Sequence, residues 1–239
     1  MNETDCPIGI FDSGVGGLKI LAAARKALPG ENFIYVFDRS HAPYGNRSTG
    51  FVKRRALKIS RLLVSSRGAK AVVVACNTAT NVGIKELRER FGVPFVGVEP
   101  PVKPAALERK SGKILVLTTA LTAKQPKFLA LKNEWDDGNM IVAPLPTLAA
   151  DIESHFADLG SLKNEISRML SPYDGENIES VVLGCTHYYY VADLIAGYFG
   201  GGVKIYDACD GVTRRLRSLL QENNLLSSKN LGRVKYIYL

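Results

Sequence analysis

Two cysteines in matching settings are the residues of this chain best suited to chemistry. Cys76 closes the run VVVAC and is followed by Asn77 and Thr78, and Cys185 closes VVLGC and is followed by Thr186 and His187. The two thiols stand 109 positions apart, so neither a metal knuckle nor a C-x-x-C redox pair accounts for them. A thiol works as its thiolate, and a free cysteine has a pKa of about 8.5, so it needs backbone N–H groups, a helix N-terminus or a cation beside it. Asn77 and Thr186 are helix-capping types, which predicts a helix starting directly after each cysteine, with its dipole favouring the thiolate. Two acid/base groups on opposite faces of one bound molecule suit inversion at carbon, one taking the proton as the other returns one. Covalent catalysis by Cys185 with His187 is the rival chemistry. It leaves Cys76 without a role.

The cysteines must be positioned by the elements that end at them. Short apolar runs predict strands near 7–11, 33–37, 71–75, 94–97, 113–117, 139–143, 180–183 and 203–206, with KYIYL at the C-terminus as one more. Apolar residues at three- and four-residue spacing predict helices over 18–28, 51–66, 78–91, 122–133, 161–171 and 188–198. Such alternation means βαβ units and mainly parallel sheets. Each half opens on a strand ending in hydroxyl residues, IGIFDS at 8–13 and KILVLTT at 113–119, and later reaches a strand ending in cysteine. The expected architecture is two similar doubly wound α/β domains, residues 1–98 and 99–207, with the segment from about 208 to 239 packing back onto the first. Ligands of open α/β sheets sit beyond the carboxyl ends of the strands, which puts Asp12, Cys76, Thr119 and Cys185 around one cleft between the domains. The turn-prone stretch 97–113 is the crossing point.

Composition narrows the class. With 239 residues, 46% of them hydrophobic, the chain can bury a proper core. The N-terminus carries acidic residues where a signal peptide needs positive charge, and no apolar run reaches the roughly 18 residues of a membrane span. A cytoplasmic protein is expected, with its four cysteines (6, 76, 185 and 209) reduced, Cys6 and Cys209 having no special role. The 31 basic side chains outnumber the 23 acidic ones, yet they are dispersed, and the VKRR and TRRLR clusters read as solvated helix faces. No nucleic-acid-binding signature accompanies them, so nucleic acid is not an expected partner. The loop DSGVGG after Asp12 permits close backbone approach and can cradle an anion. It is not the dinucleotide fingerprint, because Lys19 stands where the third glycine belongs. His41 and His155 read as surface residues.

Five motifs in order, IGIFDSGVGG (8–17), APYGNRS (42–48), ACNTAT (75–80), GVEPPVKPA (97–105) and GCTHYYY (184–190), resemble the cofactor-independent aspartate/glutamate racemases over nearly the whole chain. The opening motif favours the glutamate branch. The resemblance implies interconversion of L- and D-glutamate for cell-wall peptidoglycan, no metal or other cofactor, and a homodimer. It assigns Cys76 to the D enantiomer and Cys185 to the L enantiomer, assisted by Asp12 and His187 respectively. It also implies that Asp12, Ser13, Tyr44, Gly45, Asn77, Thr78, Thr119, Thr186 and His187 contact substrate. Asp38 matches an acidic position supporting Asp12, and Asp151 or Glu153 fills the place of a glutamate supporting the second side. The chain departs from the family pattern at Tyr189, where proline is common, and at Thr118 and Leu121, where glycine is frequent.

Overall fold

The computed structural model describes residues 3–239, so Met1 and Asn2, the first two positions of the expected first domain, lie outside it. The chain runs β1 (Ile8–Asp12), α1 (Leu18–Ala27), β2 (Phe33–Phe37), α2 (Thr49–Arg61), β3 (Ala71–Val74), α3 (Asn77–Arg90), β4 (Phe95–Gly97) and α4 (Val102–Glu108). It continues through β5 (Lys113–Thr118), α5 (Ala120–Ala123), α6 (Pro126–Trp135), β6 (Met140–Pro144), α7 (Leu148–Ser154) and α8 (Lys163–Leu170). Last come β7 (Ile178–Leu183), α9 (Ala192–Tyr198), β8 (Lys204–Tyr206), α10 (Cys209–Glu222) and β9 (Val234–Tyr238).

The strands form two parallel sheets, ordered β4-β3-β1-β2-β9 and β6-β5-β7-β8. Burial explains why: all residues of β1, β2 and β3 are buried, the mark of strands covered on both faces. Alternation then divides each strand between two layers. Ile8, Ile10, Ala71 and Val73 join the cluster under α1 and α10, whereas Phe11, Val72 and Val74 face α2 and α3. The first of these clusters continues into the second half through Leu115, Leu117, Val181 and Tyr188, so one apolar layer spans both sheets. Each such side chain contributes roughly 1.5–3 kcal/mol when fully buried, which makes the sheets the rigid part of the molecule.

The α/β reading with two parallel sheets holds, and the differences have local causes. The crossing stretch contains α4, whose Pro104 lies in the first turn, where a missing N–H costs no helical bond. Pro126 starts a new helix with Gln125 as its N-cap, so the expected 122–133 helix is split into α5 and α6. The terminal strand β9 pairs with β2, and α10 packs against α1.

In each sheet the chain lays its second strand on one side of the first and its third on the other, so β1 and β3, and likewise β5 and β7, are neighbours at a switch point. A crevice opens at such a point. Asp12 ends β1 and Thr118 ends β5, Thr119 comes next, and Cys76 and Cys185 each lie two residues past the ends of β3 and β7.

Candidate active site

The two switch points face each other and touch. Thr186 donates a hydrogen bond across the cleft to Asp12 Oδ2 at 3.0 Å, while Asp12 Oδ1 accepts from Gly14 N–H at 2.8 Å. Thr78 Oγ1 of the first half meets Thr119 Oγ1 at 3.1 Å and Thr122 Oγ1 at 3.3 Å in the second. Val15 N–H donates to Glu153 Oε1 at 2.7 Å, and Tyr190 OH to Val15 O at 3.1 Å. The glycines of the first loop make this approach feasible. A Cβ on Gly14 would overlap Glu153 Oε1, and one on Gly16 would lie 2.6 Å from both His187 Nδ1 and Thr186 Oγ1.

Each thiol is buried, 6% exposed, and none of the cysteines is in a disulfide. Cys76 is the N-cap of the 14-residue α3 and lies 4.0 Å from Ser13 Oγ. Burial, followed by the charge of Asp12, pushes its thiol up, against a hydrogen bond from Ala79 N–H. The expectation that the dipole draws this thiol down therefore fails in the closed cleft, where desolvation outweighs it. Cys185 differs again. The segment opening at Thr186 is a five-residue 3-10 turn, and α9 begins only at Ala192. Its partner is a side chain instead: His187 Nδ1 lies 3.8 Å from Cys185 Sγ, and His187 Nε2 lies 2.6 Å from Glu153 Oε1. Burial pushes this imidazole down, but the bonds to Cys185 and Glu153 and the charges of Cys185 and Asp12 prevail, holding it well above its usual range. Burial likewise works to raise Glu153, yet its bond to His187, the histidine's charge and the Val15 N–H hold it low. On the other side, Asp12 is pushed up to about 6, chiefly by burial and against the attraction of His187.

The supporting carboxylates expected from the sequence take distinct places. Glu153 rather than Asp151 reaches His187; the Asp151 main-chain carbonyl instead accepts from His155 Nδ1. The Asp38 carboxylate is engaged by Tyr44, Arg55 and His41, and its link to Asp12 is the main-chain bond from Asp38 N–H to Asp12 O at 3.1 Å. His41, expected at the surface, is thereby half-buried. Gly45 lies against Thr119, where a Cβ would come within 2.8 Å. Asn77 Oδ1 and Thr118 Oγ1 are buried beside the cysteines with no hydrogen-bond partner among the described residues. Thr122 was not singled out by sequence, although its position three residues after the N-cap Thr119 is the signal that could have found it. Tyr35 was also missed; its hydroxyl donates to Gly14 O at 3.0 Å from within a strand that reads only as core.

Among departures from the family pattern, Tyr189 is buried, and its hydroxyl accepts from Ala208 N–H at 3.3 Å. Leu121 packs on the apolar cluster of the first half, adding an apolar contact between the halves.

Fold and site together define an α/β protein of two like halves, with one thiol at each of two facing switch points. The chain belongs to the Asp/Glu/Hydantoin racemase family, whose pattern matches residues 18–216. It is 39% identical over 231 residues to the glutamate racemase of Clostridium perfringens, covering 95% of this chain and 88% of that one. Its structure resembles a glutamate racemase isoform of Bacillus anthracis with a TM-score of 0.88 at 29% identity, covering 98% of this chain and 89% of that one. It also resembles the Escherichia coli glutamate racemase solved with L-glutamate and the activator UDP-MurNAc-ala, with a TM-score of 0.86 at 27% identity over 98% of both chains.

Proposed function

We propose that this protein interconverts L- and D-glutamate without a cofactor, by proton transfer between Cα and the two thiols. The observation that supports this most directly is the placement of Cys76 and Cys185 after equivalent strands, β3 and β7, of two facing sheets. From the D enantiomer, the Cys76 thiolate takes the Cα proton while the Cys185 thiol gives its own proton to the opposite face. The cycle leaves Cys76 as thiol and Cys185 as thiolate, and the L enantiomer reverses it. The His187 imidazolium, braced by Glu153, stabilises the thiolate on the second side. Asp12 exchanges protons on the first. The unpartnered Asn77 amide oxygen suits the substrate ammonium, while the hydroxyls of Ser13, Thr78, Thr119 and Thr186 and the N–H groups of Tyr44 and Gly45 suit its carboxylates. The developing charge at Cα calls for preorganised donors in a water-free cleft.

In this reading, residues 1–98 with about 208–239 form one body and 99–207 the other, and they separate to admit substrate. The enzyme acts in the cytoplasm as a homodimer, which light scattering checks, and supplies D-glutamate for peptidoglycan. Among the described residues no helix is long and apolar enough to cross a membrane.

The test is incubation of each enantiomer in D₂O, following optical rotation and Cα deuterium, with an amino-acid panel beside it. Each enantiomer of glutamate should yield the other carrying solvent deuterium. Cys76→Ala should lose about 10²–10⁴ in racemisation while Cys185 still exchanges the Cα proton of L-glutamate without inversion. Full turnover by Cys76→Ala would sink the two-thiol reading.

A further inference from the structure

Asp38 follows the last residue of β2, is fully buried, and gathers more polar partners than any assigned role requires. Arg55 Nε donates to its Oδ2 at 2.8 Å and Arg55 Nη2 to its Oδ1 at 2.5 Å, a two-point fork. His41 Nδ1 lies 2.9 Å from Oδ1, and Tyr44 OH donates to Oδ2. Arg55 belongs to the VKRR cluster, which by sequence reads as a solvated face. Its side chain is only 12% exposed, so this guanidinium is turned inward.

The consequence runs along a short chain of contacts. Tyr44 has one hydroxyl proton, and it is committed to Asp38, whose two oxygens also accept the Arg55 fork. A carboxylate with no exposure calls for a counter-charge, and Arg55 supplies it. Tyr44 is 1% exposed and lies in the same apolar cluster as Cys76, and the next residue, Gly45, abuts Thr119 of the opposite half. One cation on α2 thus braces a turn that packs in the cluster of Cys76 and abuts the facing domain.

We propose that Arg55 is a positioning residue for the reaction, acting through Asp38 to fix the Tyr44–Gly45 turn against Cys76 and Thr119 and thereby to hold the substrate carboxylate. This rests on the racemase reading above. Lysine at this position would keep the charge and lose the fork, whereas methionine would lose both.

The experiment compares wild type, Arg55→Lys and Arg55→Met by glutamate kinetics and by amide hydrogen exchange of the free protein. Arg55→Met should raise KM about tenfold or more with kcat reduced less than about threefold, the pattern of lost binding, and Arg55→Lys should fall between. Exchange should quicken in peptides covering 39–47 and stay unchanged in 77–90. A merely structural residue would instead shrink the active fraction, lowering apparent kcat at constant KM, with exchange rising throughout the chain. That result, or unchanged exchange at 39–47, overturns the inference. Should wild type turn over no glutamate, the racemase reading falls, and the exchange measurement still decides whether Arg55 holds the turn.

Discussion

At the residue scale, Asp12 is the most telling titratable group, because burial raises it to about 6 while His187, the Gly14 N–H and Thr186 work to bring it down. A carboxyl that binds its proton more tightly folded than unfolded adds stability below its unfolded pKa and loses it as pH rises through the folded value. Between pH near 4 and near 6, Asp12 should therefore withdraw on the order of 3 kcal/mol from the folded state. Chemical denaturation of wild type and Asp12→Asn across that window checks this: the difference between them should move in favour of the variant as pH rises. An unchanged difference would mean that Asp12 titrates normally. Glu153 has the opposite sign. Its folded pKa is lowered by His187 and Val15, so its contribution is present above the usual carboxylate range and fades on acidification. Glu153→Gln, which keeps size and removes charge, should release the His187 imidazole toward its ordinary pKa, to be read by NMR titration of that ring.

At the scale of elements, β9 and α10 are the test pieces, since both return to the first half from the far end of the chain. β9 pairs with β2 over five residues, Tyr238 stacks on Phe37 with centroids 4.7 Å apart, and Leu239 N–H donates to Phe37 O just before Asp38. Removing residues 234–239 should cost on the order of 3–5 kcal/mol from lost ladder bonds and exposed rings, lowering the melting temperature by roughly 10 °C. It should also raise KM, because β2 leads into the Asp38–Tyr44 brace. α10 is tied at its N-cap to the turn behind Cys185 through Tyr189. Tyr189→Phe leaves the Ala208 N–H without that acceptor, and a loss of about 1 kcal/mol is expected by denaturant titration.

At the scale of the molecule, the halves meet through hydroxyls, a carboxylate on backbone N–H, and glycines, with both thiols nearly inaccessible. In the proposed reading, a substrate with two carboxylates enters as the halves part. The crossings near 98–101 and 207–208 are where the motion must concentrate, because they alone carry the chain between sheets that are each internally hydrogen-bonded. Hydrogen exchange with and without glutamate should show protection at these segments and at 13–16 and 186–190. No protection there would argue that substrate enters without domain movement.

Much of this was legible in the residues. Runs such as FIYVF and AVVV are buried on both faces and bounded by turn residues, so their strands are recognisable locally, and the cysteine at the end of each matching run marked the candidate pair that the fold carries to facing switch points. Short helices such as α4 and α7 escaped because seven residues carry too little periodicity to stand out from a loop. The partnerships across the cleft escaped for a different reason. That Thr186 meets Asp12, that Glu153 rather than Asp151 braces His187, and that Arg55 turns inward to Asp38 depend on how two switch points are brought face to face. Local propensity and spacing act over a few residues along the chain and determine which elements form. The supply of hydrogen-bond donors to buried carboxylates from 138 and 174 positions away belongs to the packing of two sheets, and that only the tertiary structure decides.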